Sequence, residues 1–393
     1  MQPTTYDVLV IGGGIHGAGV AQAAAAAGYS VCLLEKTEIA SGTSSKSSKL
    51  IHGGLRYLES GQFSLVRECL RERQYLLNNA PHLVKLVPFI IPIYQQTQRR
   101  PLVIRTGLSL YAILNGLKLS GLFKTIPQKK WSTLDGLSTN ELQHVFQYQD
   151  AQTDDRQLTQ AVIASAVSLG CKVIKPAEVK ALRYQPKIWQ VRYEQHQENH
   201  TLLAKTIVNA AGPWVNQVLK RVISKPSIKS IDLVQGTHIV LQGSTQQGIY
   251  YLESPIDQRA IFVMPWHGNT LVGTTEKIYQ GDPGDVRPTE EEVNYLLENV
   301  KYYFAKYQQT QPEQILECFA GLRVLPSAEG LAFSRPRETR LFEDAQKAPG
   351  LFTIYGGKLT AYRATAELVV NQIVPLLPNV ASRADTKTLR LPE

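Results

Sequence analysis

The sequence predicts an α/β fold in which a domain built on a parallel sheet is interrupted by a second domain with an antiparallel sheet. Three observations lead there. The chain opens on a short apolar strand, a glycine turn and an alanine-rich helix, the unit from which parallel sheets are assembled. From about residue 231 the pattern changes to strands joined by short turns. A strand and a helix of the first kind return near the C-terminal end, so the second style lies inside the first.

The elements follow in order. Residues 6–11 read as a buried strand that ends in glycines, and 15–27 as a helix stopped by Gly28. Residues 30–34 read as a second buried strand, 63–79 as a charged amphipathic helix, and 86–94, with Pro88 and Pro92, as extended chain. Residues 154–169 form a helix ended by Gly170, Val173 begins a strand, and 207–210 is a short strand running into a glycine. The antiparallel part comprises 233–241, 249–252, 260–266 and 270–273, the last two joined by a hairpin at His267-Gly268-Asn269. Thr289 and Glu292 have the spacing of a capping box for a helix through Tyr303. A strand at 352–355 and a helix from Thr360 complete the chain. This divides it into a first domain of residues 1–85, 140–230 and 345–393 and a second of 86–139 and 231–344.

Length and composition bound the function. The chain has 393 residues, 43% hydrophobic and 19% charged, enough for two or three lobes with a large core. No apolar run reaches the 18 residues of a spanning helix, and no secretory signal opens the chain. Cys32, Cys69, Cys171 and Cys318 are scattered without a CxxC pair, which argues against a metal site or a disulfide framework and fits the cytoplasm. The net charge of +9 lies entirely in residues 73–134, which hold no acidic residue: Arg73, Lys85, Arg99, Arg100, Arg105, Lys118, Lys124, Lys129 and Lys130. Apolar residues near helical spacing are interleaved with these, as in 102–123. Such a stretch suits either an anionic membrane surface or a solvated helix covering the core. No nucleic-acid-binding pattern accompanies it.

Gly12-Gly13-Gly14-Ile15-His16-Gly17 is a G-x-G-x-x-G between strand and helix, and Glu35 ends the next strand. Gly12 allows the tight turn, Gly14 lets the backbone approach a pyrophosphate, and Gly17 lets helix and strand pack closely. The helix start attracts the anion, and Glu35 can accept from a ribose hydroxyl. The first domain therefore reads as a Rossmann-like dinucleotide-binding domain. There is one such fingerprint, and a hydroxyl-rich stretch from Ser41 to Lys49 suits a further cofactor segment, which favours FAD over NAD.

The segment Ser44-Ser45-Lys46-Ser47-Ser48-Lys49-Leu50-Ile51-His52-Gly53-Gly54-Leu55-Arg56-Tyr57-Leu58 closely resembles the one that follows the dinucleotide motif in FAD-dependent glycerol-3-phosphate dehydrogenases. These belong to the D-amino-acid-oxidase-like flavoprotein superfamily. Val208-Asn209-Ala210-Ala211-Gly212-Pro213-Trp214, Gln235-Gly236-Thr237-His238, Met264-Pro265-Trp266, Gly273-Thr274-Thr275-Glu276, Ala320-Gly321-Leu322-Arg323 and Tyr355-Gly356-Gly357-Lys358-Leu359-Thr360 resemble further family segments in the same order. The family usually continues into a helical C-terminal domain. Where it has G-[VL]-R-P-L and a later Ser-Arg-Asp, this chain has Gly321-Leu322-Arg323-Val324-Leu325-Pro326 and Ser334-Arg335-Pro336.

The resemblance implies which residues hold FAD. They are Gly12, Gly14, Ile15 and Gly17 at the turn, Glu35 and Lys36 after the second strand, and Thr43, Ser44, Ser45, Ser48, Lys49, Leu50, His52 and Gly53 in the hydroxyl-rich stretch. Val179, Ala211, Gly212 and Trp214 join them from the middle of the chain, and Gly356, Gly357, Lys358, Leu359 and Thr360 near its end. It also implies oxidation of a small phosphorylated polyol, glycerol 3-phosphate, to dihydroxyacetone phosphate, with hydride passing to flavin N5 and electrons to a quinone. That chemistry needs a base for the hydroxyl proton and fixed positive charge for the phosphate. Arg56, Arg323 and Lys358 match the family's substrate-contacting positions, with Arg335 as a fourth and Tyr57 as a hydrogen-bonding group. His238 is assigned the base role and His52 a positioning role. A quinone acceptor places the chain peripherally on the inner face of the cell membrane, and a homodimer is allowed. The alternatives are a flavin oxidase or dehydrogenase of another hydroxy acid or amine, and a flavin-binding subunit that only relays electrons.

Overall fold

The computed structural model describes residues 3–117, 121–327 and 339–393. The chain begins with β1 (Thr5–Ile11), α1 (Ile15–Ala26) and β2 (Val31–Leu34). Next come β3 (Leu50–Ile51), α2 (Phe63–Asn79), β4 (Val84–Tyr94), α3 (Pro101–Leu114), β5 (Lys124–Thr125) and β6 (Leu142–Thr153). α4 (Asp155–Ser168), β7 (Lys172–Ile174), β8 (Glu178–Gln185), β9 (Ile188–Gln195), β10 (Glu198–Asn209) and α5 (Val215–Lys220) follow. Then come β11 (Ile231–Leu241), β12 (Ile249–Glu253), β13 (Ala260–Trp266), β14 (Asn269–Gly273), β15 (Lys277–Tyr279), α6 (Glu290–Tyr303) and β16 (Glu317–Pro326). β17 (Arg340–Glu343), β18 (Leu351–Tyr355) and α7 (Tyr362–Ile373) end the order.

The first sheet runs β17-β18-β10-β1-β2-β7, with β18, β10, β1, β2 and β7 mutually parallel and β9 and β8 added in antiparallel fashion beside β10. Strand alternation sets its two faces. Val8 and Val10 of β1 pack with α1, α4 and α7, while Leu9 and Ile11 pack with the β8–β10 strands and α5. α1 is buried all round, and its alanines and glycines allow that: a Cβ on Gly19 would stand 2.7 Å from the Tyr362 ring of α7.

The second sheet runs β15-β11-β14-β13-β12-β4-β6-β3, with β16 beside β11 and β5 beside β6. α6 covers one face, through Leu296, Val300 and Phe304 against Ile239, Val263 and Val272. The other face meets α2 and α3 through Val66, Leu70, Leu108 and Tyr111. His238, Phe262 and Tyr251 project on that second face, beside the edge of the first domain. The Thr289 capping box is present at the start of α6, and Asp154 caps α4 by accepting from the Gln157 N–H at 3.0 Å.

The structure departs from or adds to the sequence reading in three places. The stretch 140–230 is assigned by sequence to the first domain, yet β6 within it pairs along its length with β4 of the second sheet, and β3 pairs with β6. The β8–β10 meander has no counterpart in the sequence reading, because its second turn lacks the usual signals. His196 and Gln197 both take positive φ, 51° and 66°, where asparagine and glycine are the expected residues. The basic segment is also less free than its composition suggests. Arg73 is fully buried against Asp150 at 2.5 Å, and Arg99 bridges Glu59 (2.5 Å) and Glu253 (2.8 Å). Lys118 lies outside the described residues.

Candidate functional site

A cleft of about 570 Å³ runs between the two sheets, from Glu35 and Lys36 at one end to Arg56, Arg259 and Arg323 at the other. Its first end is built by backbone. Gly12 has φ 108°, and a Cβ there would stand 2.7 Å from the Ala210 carbonyl. A Cβ on Gly17 would stand 1.9 Å from the Gly12 carbonyl, so only glycine lets α1 lie this close to β1. Gly14 is the N-cap of α1, with no side-chain cap. The Glu35 carboxylate accepts from the Gly13 N–H (2.6 Å) and the Thr37 N–H (2.8 Å), which fixes the turn and places the acid at the cleft wall.

The hydroxyl-rich stretch closes over this turn. Ser44 Oγ accepts from the Ile15 N–H at 2.8 Å, and Thr43 Oγ1 donates to the Leu322 carbonyl at 2.7 Å, so one loop joins the glycine turn to the strand that carries Arg323. Beneath it the Lys49 ammonium is buried against Asp155 (2.7 Å) and the Ser45 carbonyl (2.6 Å). Ser47 N–H donates to the same Asp155 at 2.9 Å. An unpaired charge at this depth would be costly, so the pair holds the loop in place.

At the second end, the row Phe262–Gly273–His238–Phe319 crosses four strands. His238 is buried, stacks on Phe319 at 5.0 Å, and its Nε2 lies 3.0 Å from Ser48 Oγ. Burial, with Arg323 and Lys49 nearby, holds its pKa well below the usual range, so the ring is neutral at pH 7. Arg323 Nη1 donates to Glu276 at 2.9 Å and Nη2 to Thr274 Oγ1 at 3.2 Å, which fixes the plane of the guanidinium. Arg56 and Tyr57 sit on a short helical turn, Leu55–Leu58, launched by Gly54 at φ 78°. The His52 N–H is held by Thr360 Oγ1 at 3.1 Å, and the Gly53 N–H by Tyr111, whose hydroxyl donates to Asp150. The Lys358 ammonium stands 3.7 Å from the centre of the Tyr57 ring.

Most residues singled out by sequence therefore meet in one cleft. Gly12, Gly14, Ile15, Glu35, Lys36, Thr43, Ser44, Ser48, Leu50 and His52 line it, as do Val179, Ala211, Gly212, Trp214 and the run Gly356–Thr360. Arg56, Tyr57, His238 and Arg323 line it too. Four do not, each for a local reason. Gly17 is covered by Gly12, Ser45 turns its hydroxyl to the Gly42 carbonyl, Lys49 is engaged by Asp155, and Gly53 faces Tyr111. Arg335 lies outside the described residues. The sequence reading gave no site role to His16, Tyr251 or Arg259, which also line the cleft. Burial lowers the pKa of His16 to about 4. Arg259 sits outside every matched motif, so only the fold brings it in.

A parallel-sheet nucleotide domain with a side-chain-lined second sheet across a shared cleft defines a two-domain flavoprotein class. The match to known proteins makes this specific. Residues 7–372 fit the model of the FAD dependent oxidoreductase family, and the chain belongs to that family. It is 38% identical over 382 residues to a glycerol-3-phosphate dehydrogenase of Pseudomonas aeruginosa, covering 95% of this chain and 73% of that protein. It is 36% identical over 387 residues to the D-erythritol 1-phosphate dehydrogenase of Brucella abortus, covering 96% and 76%. The structure of a glycerol-3-phosphate dehydrogenase from Bacillus halodurans complexed with FAD superposes with a TM-score of 0.78 at 28% identity, over 98% of this chain and 68% of that one. The curated relatives are thus longer than this chain by about a quarter of their length. The cofactor is FAD, and the residues fit it: the glycine cradle admits no side chain, Glu35 follows β2 at its rim, and the His16 Nδ1 is buried without a hydrogen-bond partner among the described residues.

Proposed function

We propose that the chain oxidises the secondary hydroxyl of a small phosphorylated polyol, glycerol 3-phosphate first among the candidates, and passes the electrons to a quinone. Bound FAD supplies the two-electron acceptor for the carbinol hydride. The observation that carries the reading is that Arg56, Arg323 and Lys358 line one cleft together with His52 and the neutral His238. A phosphate dianion needs directed cationic donors, and an amine or an uncharged alcohol does not. His238 serves as the base for the hydroxyl proton, since its ring is neutral and Ser48 fixes its orientation. His52 and Tyr57 position the substrate, and the surrounding cations stabilise the developing alkoxide. The Pseudomonas and Brucella relatives act on three- and four-carbon phosphopolyols by name, so chain length is the variable to test. Initial rates with glycerol 3-phosphate and erythritol phosphate, each with a soluble quinone and with oxygen as acceptor, decide it. The proposal expects a phosphate ester and the quinone to give the fastest pair; a faster rate with an amino acid or an unphosphorylated alcohol overturns it.

Docking on an anionic membrane completes the proposal. The outer side of α3 exposes Leu102, Val103, Arg105 and Ile113, with Arg100 exposed at its start; Lys129 and Lys130 are exposed further along the same basic segment. Among the described residues no helix is long and apolar enough to cross a membrane. Each basic residue near an anionic leaflet contributes about 1 kcal/mol. Vesicles of anionic lipid should sediment the protein at low salt and release it at high salt. Arg100→Glu with Arg105→Glu and Lys129→Glu should abolish this, Arg99 being kept because it holds Glu59 and Glu253 together. Equal binding to neutral vesicles returns α3 to the role of a solvated cover.

A further inference from the structure

The substrate end of the cleft carries a cation that no sequence motif marks. Arg259 immediately precedes β13, is partly buried, and lines the cleft with Arg56, Arg323 and Lys358. Its Nε donates to Asp257 at 2.6 Å and its Nη1 to the Glu276 carbonyl at 3.2 Å, and its Cζ stands 5.2 Å from the centre of the Tyr295 ring. Tyr295 in turn donates to Asp257 at 2.8 Å. The guanidinium plane is therefore set from three sides.

The register shows where this cation lies. Phe262, Gly273, His238 and Phe319 face one another across β13, β14, β11 and β16, which alternate in direction. Arg259 precedes Phe262, Glu276 follows Gly273, and Arg323 follows Phe319, so all three lie on the same side of the His238 row. At about 3.3 Å per residue they sit roughly 10–13 Å along the strands from it, before the side chains reach back. Both guanidinium groups are anchored on one residue, Arg323 by the Glu276 carboxylate and Arg259 by the Glu276 carbonyl.

We propose that Arg259 is a second substrate-binding guanidinium, which with Arg323 grips the phosphate of the phosphopolyol on the side of the His238 row where Glu276 lies. This rests on the phosphopolyol reading above and names the residues that read the phosphate. Asp257 and Glu276 neutralise the two arginines while orienting them, so Arg259 and Arg323 contribute directed N–H donors rather than net charge. Arg56 and Lys358 line the same cleft. Geometry, not charge alone, is then the basis of affinity, and lysine cannot replace arginine at 259 without loss.

The test uses FAD-loaded protein carrying Arg259→Met or Arg259→Lys. Anaerobic flavin reduction gives apparent dissociation constants for glycerol 3-phosphate and for glycerol, and calorimetry gives the affinity for inorganic phosphate. Arg259→Met should weaken glycerol 3-phosphate and inorganic phosphate at least ten-fold and leave glycerol unchanged. Arg259→Lys should lose three- to ten-fold on the same two ligands. Should Arg259→Met lose its flavin, Arg259→Lys, which keeps a charge beside Asp257, carries the test. Unchanged phosphate affinity, or an equal loss for glycerol and its phosphate ester, overturns the proposal and leaves Arg259 a structural partner of Asp257. A wild-type flavin that no phosphopolyol reduces, in a protein that still binds inorganic phosphate through Arg259, would sink the substrate reading and leave the anion site standing.

Discussion

The two ends of the cleft are built by opposite means. At the Gly12–Gly17 end the contacts are made by backbone, within one continuous stretch, and the key feature is what is missing: a Cβ at Gly17 would meet a carbonyl at 1.9 Å. At the Arg323 end they are made by side chains from distant stretches, each held by a carboxylate, a hydroxyl or a ring. A site made of backbone tolerates no substitution, because the backbone it presses against cannot move aside. A site made of side chains survives substitution as a fold and loses affinity instead.

The sharpest way to break this comparison is at Gly17. Gly17→Ala should destabilise by about 3 kcal/mol or more and yield protein without yellow colour, since the new methyl meets fixed backbone. A melting temperature near that of the wild type with full flavin content would show the two ends to be equally tolerant.

Arg323→Ala should leave flavin content intact and raise the apparent dissociation constant for glycerol 3-phosphate by roughly ten- to a hundred-fold, from the loss of charge-assisted bonds worth about 1.5–3 kcal/mol. It also removes the Arg323 donor from the Glu276 carboxylate, whose side chain is only 7% exposed. Adding Glu276→Gln should therefore restore stability without restoring affinity, as read by thermal melting beside the reduction titration. Recovery of affinity in the double variant would contradict a direct role for Arg323.

A smaller effect is expected at Glu35. Glu35→Ala removes the acceptor for the Gly13 and Thr37 N–H groups, and with it the proposed ribose acceptor, and should weaken FAD binding by about 1–3 kcal/mol. With FAD in excess, the affinity for glycerol 3-phosphate should not change. A change there would mean that the two ends are coupled.

A further effect concerns pH. Burial lowers the pKa of His16 to about 4 and pushes that of His238 well below its usual range, the latter with help from Arg323 and Lys49. In the unfolded chain both take a proton near the ordinary value of about 6.5. Between that pH and the lower folded values the unfolded state binds more protons, so stability holds above about 6.5 and falls as the pH drops toward 4. Melting temperatures across that window should decline, and His16→Asn should flatten part of the decline. An unchanged slope would place His16 in a wetter setting than its surroundings indicate.

How much of this was legible in the sequence follows the same division. The Gly12–Gly17 turn, Glu35 and α1 are contiguous, and each glycine answers a steric demand that composition exposes. The His267-Gly268 hairpin and the Thr289 capping box carry local signals and are present where those signals place them. The β8–β10 meander was missed because His196-Gln197 makes a left-handed turn without glycine or asparagine. β6 was misplaced because its membership depends on long-range pairing with β4, which no local pattern encodes. The same holds at the site. Arg56, Arg323 and Lys358 stood out because a resemblance marked them, whereas Arg259 enters through the register of four strands. Lys49 and Ser45 were singled out with their neighbours, and the Asp155 partner that draws Lys49 away from the cleft lies 106 residues further on.

The central claim is that a phosphate-reading cleft lies against an FAD. Anaerobic bleaching of the purified protein's flavin, with glycerol 3-phosphate beside glycerol, lactate and amino acids at matched concentration, tests it most directly. Rapid and complete bleaching by the phosphate ester, with little from the others, is the predicted result. Equal bleaching by glycerol and its phosphate ester, or preferential bleaching by an amino acid, would contradict it.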